Sequence, residues 1–197
     1  MKTIGLDFDN TLVVYDSLFY QLACEKKIIS PTIPQTKKSV RDYLISVNKE
    51  EEFTLLQGEV YGLHILKAEA AENLLTSLRY LFNMGYSFKI ISHKTQYPYK
   101  GPKYDLRSAA LKWLEKYTFF DKDFLGLSLE DVIFASTKAE KAQQIINQGC
   151  YAYVDDLPEI LKMIPNNIIK ILYNPCNNIE EGEYFKMLDW SNIKSVL

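Results

Sequence analysis

Short apolar runs and segments of helical periodicity alternate along most of this chain. The runs have the length and composition of buried strands and cover residues 3–6, 87–91, 131–134, 151–154 and 168–173. Between them, apolar residues recur with the period of an amphipathic helix at 66–82, 105–117 and 138–148. This alternation predicts a parallel sheet with helical crossovers, in which the strands all end at one edge. The pattern therefore indicates an α/β fold.

Residues 16–65 depart from this alternation. The spacing predicts two helices there, at 17–27 and 36–47, followed by a charged run at 49–52 that is interpreted as solvated surface. Because the segment directly follows the first strand, we expect a small helical cap inserted there, of the kind that excludes water and selects substrates. The expected division is a core of residues 1–15 and 66–197 and a cap of residues 16–65.

Composition narrows the class of protein. The chain has 197 residues, 47% of them hydrophobic, which is enough for one well-buried core. Its net charge of -2 argues against wrapping of nucleic acid by a broad basic surface. Three widely spaced cysteines suit a reducing compartment, and no run is apolar enough for a signal sequence or a membrane span. We expect a cytoplasmic protein without a membrane partner, and the oligomeric state is not predicted.

Two carboxylates follow the first predicted strand. Asp7 and Asp9 are two residues apart, so in an extended chain their side chains share one face. Their repulsion calls for a shared proton or a cation, and Mg²⁺ prefers such oxygen ligands. Thr11 adds a hydroxyl, and Asn10 with its neighbours can present backbone N–H groups to an anion. The alternative is a turn after a strand, where Asp and Asn are common.

Groups suited to an anion follow the next two strands. Ser92 and His93 come at the end of the second strand, and a loop rich in tyrosine and lysine follows them. After the third strand, a capping-box pattern places Lys138 and Lys141 in the first turns of a helix, where a bound phosphate would balance their charge. The alternative is that both lysines are solvated surface residues.

A second acidic pair follows the fourth strand. Asp155 and Asp156 end that strand as Asp7 and Asp9 end the first one. Parallel strands end at one edge of a sheet, so both pairs are expected to converge there, which is what a divalent cation needs. The only two histidines have no paired cysteines beside them, so a zinc site of the nitrogen and sulfur kind is not expected.

Taken together, these groups resemble the four motifs of the haloacid dehalogenase-like superfamily. Residues 7–11 match its DxDxT first motif, Ser92 its hydroxyl motif, Lys141 its lysine motif, and Asp155 with Asp156 its acidic fourth motif. The match covers the core, essentially residues 1–15 and 66–175. The resemblance implies a three-layer Rossmann-like sheet with a small helical cap after the first strand.

The resemblance also implies phosphoryl transfer through an aspartyl-phosphate. Asp7 would attack phosphorus, and Asp9 would protonate the leaving alcohol and then activate water. Mg²⁺ would be held by Asp7, by the backbone carbonyl of Asp9 and by Asp155, with Asp156 ligating it directly or acting through water. The residues assigned to the substrate phosphate are Asn10, Thr11, Ser92, His93 and Lys141, with Lys138 as the alternative lysine. The expected activity is Mg²⁺-dependent hydrolysis of a phosphomonoester, and the expected partner is a small phosphorylated metabolite such as a sugar phosphate or a nucleotide.

Other functions are alternatives for this set of residues. A phosphomutase would keep the same residues, whereas a dehalogenase would not need Asp9 or the metal carboxylates. A phospho-acceptor signalling domain combines similar groups, but there the acidic pair comes first in the chain and the acceptor lies on a middle strand. A phosphate-binding module without catalysis is a further alternative.

Overall fold

The structure, a computed structural model, describes residues 2–179 and 182–197, which form two compact units. The core unit comprises the N-terminal residues through Val13, Ala70–Lys94 and Tyr117–Leu197. The cap unit comprises Val14–Glu69 and Thr95–Lys116.

The described helices and strands run along the chain as follows. The strands are β1 (Thr3–Leu6), β2 (Val13–Val14), β3 (Glu69–Ala70), β4 (Ser87–His93), β5 (Val132–Ala135), β6 (Ala152–Asp155), β7 (Ile169–Tyr173) and β8 (Phe185–Met187). The helices are α1 (Asp16–Glu25), α2 (Lys37–Ser46), α3 (Glu50–Gly58), α4 (Leu74–Asn83), α5 (Leu106–Lys116), α6 (Lys138–Asn147) and α7 (Pro158–Met163). Strands β2 and β3 pair with each other.

The core unit is built on a six-stranded sheet in the order β5-β4-β1-β6-β7-β8. Every neighbouring pair is parallel. Strand β1 is central, and its Ile4 and Leu6 are fully buried, which is typical of a strand covered on both faces. At Gly5 an added Cβ would lie 2.6 Å from the Tyr153 ring, so β1 and β6 need a glycine there to approach. The α/β fold with a parallel sheet is confirmed.

Helices α6 and α7 cover part of this sheet. Helix α6 packs on β4 and β5, and α7 packs on β6 and β7. Their apolar side chains form one buried cluster with those of the sheet: Ile91, Ala142, Ile145, Ile160, Leu161 and Leu172 are among its members. Rigid packing of this kind fixes the strand ends and the first turn of α6 in place.

The cap unit contains α1, α2, α3 and α5. Helix α2 begins at a Thr36 cap whose side chain accepts the Ser39 N–H, and it packs on α1 and α3. Helix α5 joins this unit through the Trp113 indole, which donates to the Ala68 carbonyl at 3.0 Å. The expected division placed residues 95–116 in the core, whereas the structure groups them with 14–69 because α5 packs on the turns at 59–67.

One local expectation was wrong. The helix expected over 66–82 begins only at Leu74, because a 3₁₀ turn and β3 come first and Asn73 has a left-handed backbone (φ 58°) that a helix cannot include. The charged run at 49–52 is exposed at Lys49, Glu50 and Glu51, as expected of solvated surface. It also starts α3, whose N-terminal dipole favours the acidic Glu50 and Glu51 in the first turn. The C-terminal tail supplies β8, which pairs with β7 and extends the sheet.

Within the described residues, no helix is both long enough and apolar enough to cross a membrane.

Candidate active site

The two acidic pairs meet where β1 and β6 end side by side. Leu6 pairs with Val154 in the sheet register, and the Asp7 amide continues this pairing by donating to the Val154 carbonyl at 2.9 Å. Asp7 and Asp155 are therefore neighbours across two adjacent strands. Both are buried, with exposures of 4% and 0%. Carboxylates so placed must be compensated by cations or hydrogen bonds.

Donors from two other chain segments converge on Asp7. Its Oδ1 accepts hydrogen bonds from the Ser92 hydroxyl at 2.9 Å and from Lys141 Nζ at 2.6 Å. Its Oδ2 has a weak contact with the Thr11 hydroxyl at 3.4 Å. Oδ1 is thus the more strongly hydrogen-bonded oxygen of this carboxylate. The Trp190 indole N–H donates to the Thr11 carbonyl at 3.1 Å and so holds the loop that follows Asp7.

Lys141 lies between the two buried aspartates. Its ammonium is 2.6 Å from Asp7 Oδ1 and 2.7 Å from Asp155 Oδ2, and its side chain is 2% exposed. Burial opposes the charge, but the carboxylates of Asp7 and Asp155 outweigh it and raise the pKa of Lys141 above its usual value. Helix α6 delivers this lysine in its first turns, after a Thr137 cap whose hydroxyl accepts the Glu140 N–H.

Asp155 carries one oxygen that accepts no hydrogen bond from the described residues. Its Oδ1 accepts the Leu157 N–H at 2.9 Å. Its Oδ2 has only the charge contact with Lys141, whose approach lacks hydrogen-bond geometry, and among the described residues it has no hydrogen-bond donor. Burial and the nearby Asp7 charge raise the pKa of Asp155 to about 7, against the opposing effect of Lys141. A further cation at this oxygen would favour the ionised form.

The residues present fit a hard divalent cation. Asp7, Asp155 and Asp156 each offer a carboxylate oxygen, and these oxygens all lie within 4.8 Å of one another. The set is composed of oxygen alone, which matches the ligand preference of Mg²⁺. Asp155, one of its members, also has an Oδ2 that accepts no hydrogen bond from the described residues. Asp7 and Asp155 are buried and Asp156 is half-buried, so the group has a side that faces outward.

Asp9 has a different partner from the other carboxylates. Lys94 Nζ donates to both of its oxygens, at 2.6 Å and 2.9 Å. Among the described residues, the carboxylate of Asp9 does not belong to the group of three oxygens near Asp7. Asn10 follows with a left-handed backbone (φ 58°), which turns the chain sharply after Asp9.

Several solved structures share this architecture. A dehalogenase superposes with a TM-score of 0.63 over 100% of this chain and 97% of its own, at 13% sequence identity. A haloacid dehalogenase-superfamily hydrolase of subfamily IA from Geobacter sulfurreducens gives 0.58 over 99% and 95%, at 12% identity. A phosphoserine phosphatase in its apo form gives 0.55 over 100% and 99%, at 15% identity.

This chain has the haloacid dehalogenase-like fold. No protein-family model matches the sequence, and no curated protein matches it. The likeness to solved structures at such low identity therefore concerns the fold, because one fold can carry unrelated chemistries.

Within this haloacid dehalogenase-like fold, the structure brings together most of the residues predicted from the sequence. Those that meet around the Asp7 carboxylate are Thr11, Ser92, Lys141, Asp155 and Asp156. Lys138, the alternative lysine, is exposed and pairs with Glu159 instead. His93 is also exposed, and its Nε2 lies 3.1 Å from the Ser136 carbonyl. The structure thus places Lys141 and not Lys138 at the Asp7 carboxylate.

Sequence reasoning missed Lys94 as a site residue. In the sequence it stands at the start of the loop rich in tyrosine and lysine after the second strand, yet its side chain is only 3% exposed and pairs with Asp9. The available signal was its position two residues after Ser92, directly beyond the end of β4. That position alone does not distinguish a lysine directed inward from one directed toward solvent.

Proposed function

We propose that this chain is a Mg²⁺-dependent phosphomonoester hydrolase that acts through an aspartyl-phosphate on Asp7. The observation that carries the proposal is the buried Asp7 carboxylate, which accepts hydrogen bonds from Ser92 and Lys141 and shares a compact oxygen group with Asp155 and Asp156. The same fold in a phosphoserine phosphatase supports it.

The charge balance of the site favours a divalent cation. Four carboxylates lie at this edge of the sheet, and the two buried lysines, Lys94 and Lys141, do not balance them. A phosphate dianion would be repelled from such a surface. Mg²⁺, when bound by Asp7, Asp155 and Asp156, supplies the positive charge that draws a phosphoryl group to Asp7.

The chain's own residues divide the reaction into two displacements. An oxygen of Asp7 forms a bond to phosphorus while the ester P–O bond breaks, and the leaving alcohol takes a proton from the Asp9 carboxyl. Water then attacks phosphorus and gives a proton to Asp9, the bond between Asp7 and phosphorus breaks, and inorganic phosphate leaves. Ser92 and Lys141 neutralise and orient the phosphoryl oxygens in both steps.

Asp9 and the oxygen group distinguish this proposal from dehalogenation. Dehalogenases share the fold, but halide needs no proton to depart, and a carbon centre needs no cation to approach a carboxylate. The proposed substrate is a small phosphorylated metabolite such as a sugar phosphate or a nucleotide. A phosphomutase would use the same groups, but it would transfer the phosphoryl group back to substrate and not to water.

The test is release of inorganic phosphate from p-nitrophenyl phosphate and from a panel of phosphorylated metabolites, with and without Mg²⁺. We expect turnover that requires Mg²⁺ and is abolished in Asp7→Asn. Asp42→Asn is the matched control, because Asp42 is exposed on α2 and pairs only on the surface with Lys38. Chloride release from 2-chloropropionate, or phosphate release that survives Asp7→Asn, would refute the proposal. Isomerised sugar phosphate without free phosphate would indicate the mutase.

A further inference from the structure

Lys94 holds both oxygens of the Asp9 carboxylate. Its Nζ lies 2.6 Å from Oδ2 and 2.9 Å from Oδ1, so a single ammonium group contacts the whole carboxylate. The Lys94 side chain is 3% exposed, whereas that of Asp9 is 25% exposed. The lysine is thus the buried member of the pair, and it approaches the carboxylate from inside the core unit. The same ammonium lies 5.2 Å from the centre of the Phe8 ring.

The backbone fixes both ends of this contact. Lys94 follows the last residue of β4, and its amide donates to the Ala135 carbonyl at 3.0 Å, which continues the pairing with β5. On the other side, the amides of Leu12 and Val13 both donate to the Phe8 carbonyl at 3.1 Å, closing a tight turn around Asp9. The two side chains meet because two rigid segments place them opposite each other.

Two buried lysines at this edge of the sheet, Lys141 and Lys94, separate the carboxylates into two sets. Lys141 contacts Asp7 and Asp155, which with Asp156 form the oxygen group suited to a cation. Lys94 contacts Asp9, which stays outside that group. A divalent cation accepts six or more oxygen ligands, so a further carboxylate on the neighbouring loop would be a competing ligand unless something held it elsewhere.

We propose that Lys94 is a positioning residue that holds the Asp9 carboxylate out of the cation's ligand set. This inference rests on the proposed function, in which Asp9 gives a proton to the leaving group and later takes one from water. Lys94 itself touches neither substrate nor phosphorus in this account. Its effect on the reaction passes through Asp9.

The dependence of kcat on the leaving group distinguishes a loss of Asp9 positioning from general damage to the structure. Phenol leaves phosphorus only with help from a proton, whereas 2,4-dinitrophenol leaves without it. In Lys94→Met we expect the kcat for phenyl phosphate to fall by roughly 10²–10⁴-fold, the range of acid–base catalysis. With 2,4-dinitrophenyl phosphate we expect a rapid burst of about one equivalent of dinitrophenol, followed by slow turnover, because only the step that needs Asp9 as a base is impaired.

Two variants show whether the effect passes through Asp9. If it does, adding Lys94→Met to Asp9→Asn should lower kcat no further, because two residues that act through the same group have non-additive effects. Lys94→Arg, whose guanidinium can also contact both carboxylate oxygens, should restore part of the activity. Lys89→Met is the matched control, since Lys89 lies on β4, the strand that Lys94 follows, pairs with Asp131 at 3.0 Å and is 23% exposed. Lys89→Met should leave the kcat for both substrates unchanged.

A second measurement does not depend on turnover. Titration of the purified protein with Mn²⁺ by calorimetry should show tighter binding in Lys94→Met, by about 10-fold, when the released Asp9 carboxylate can join the ligand set. In the Asp9→Asn background the same substitution should have a clearly smaller effect. This comparison removes the contribution that loss of a nearby positive charge makes by itself.

The outcomes separate this inference from the proposed function. Equal losses on both phenyl substrates without a burst, or a further loss in the Asp9→Asn background, would overturn the positioning role. If the wild-type protein hydrolyses neither substrate, the proposed function fails, and unchanged Mn²⁺ affinity in Lys94→Met would then overturn the inference independently. Should Lys94→Met fail to fold, Lys94→Gln carries the same comparisons, because glutamine keeps a polar side chain at this position but removes the ammonium that contacts both Asp9 oxygens.

Discussion

Replacing Lys141 with methionine tests the buried charge cluster by itself, without any assumption about substrate. The ammonium lies within 2.7 Å of two carboxylates that are 4% and 0% exposed, and methionine keeps the length of the side chain but removes the charge. Removal of one partner of a buried ion pair costs about 3–5 kcal/mol, because the remaining charge is left uncompensated. For a chain of this size, this corresponds to a decrease in Tm of roughly 6–20 °C.

The assay is thermal unfolding followed by circular dichroism in the presence of EDTA, so that no cation replaces the lost charge. Lys138→Met is the matched control on the same helix, because Lys138 is exposed and forms a surface pair with Glu159. We expect its effect to stay below about 1 kcal/mol. If Lys141→Met lowers Tm no more than Lys138→Met does, the charge cluster is not a stabilising feature and the reasoning is refuted. Added Mg²⁺ should recover part of the lost stability.

Two other predictions follow from the pKa of Asp155 and from the place of α5. Since the folded pKa of Asp155 is raised to about 7, above the unfolded value, its ionisation opposes folding, and this cost appears as pH rises from about 4 to 7. Mg²⁺ binds the ionised carboxylate, so the increase in Tm caused by Mg²⁺ should be larger at about pH 8 than at about pH 6, and equal shifts would contradict the assignment of Asp155 as a ligand. Trp113→Phe removes the hydrogen bond to the Ala68 carbonyl, at a cost of about 0.5–1.5 kcal/mol, and should accelerate hydrogen exchange in residues 14–69. Acceleration confined to the core unit would show that α5 does not stabilise the cap unit.

The strand ends that carry the site were predictable from local pattern. Short apolar runs before Asp7 and Asp155 predict buried strands, and parallel strands present their ends at one edge. The sheet register confirms that β1 and β6 end side by side, because Leu6 pairs with Val154 and Asp7 and Asp155 follow directly. The lysine was predictable for a similar reason. The cap at Thr137 sets the start of α6, and Lys141 lies one helical turn beyond it.

The start of α4 and the assignment of α5 to a unit depend on tertiary contacts, which the local sequence pattern does not predict. The apolar residues of 66–82 have helical spacing throughout, yet the chain forms β3 and a left-handed turn at Asn73 before α4 begins. Residues 105–117 were correctly predicted as a helix, but their membership of the cap unit depends on the packing of α5 against the turns at 59–67. Propensity describes a segment by itself, whereas tertiary packing selects among its possible conformations and partners.

The sequence by itself determined which oxygen and nitrogen groups stand at the carboxyl edge of the sheet, because the alternation of strands and helices and the spacing of Asp7, Ser92, Lys141 and Asp155 are properties of the chain order. Only the tertiary structure decided how the charges pair. Lys141 forms ion pairs with Asp7 and Asp155, and Lys94 forms one with Asp9. The exposed Lys138 pairs with Glu159 instead. The physical reason is distance. Ion pairs and hydrogen bonds form within about 3 Å, and which side chains come that close is set by the packing of segments far apart in the chain.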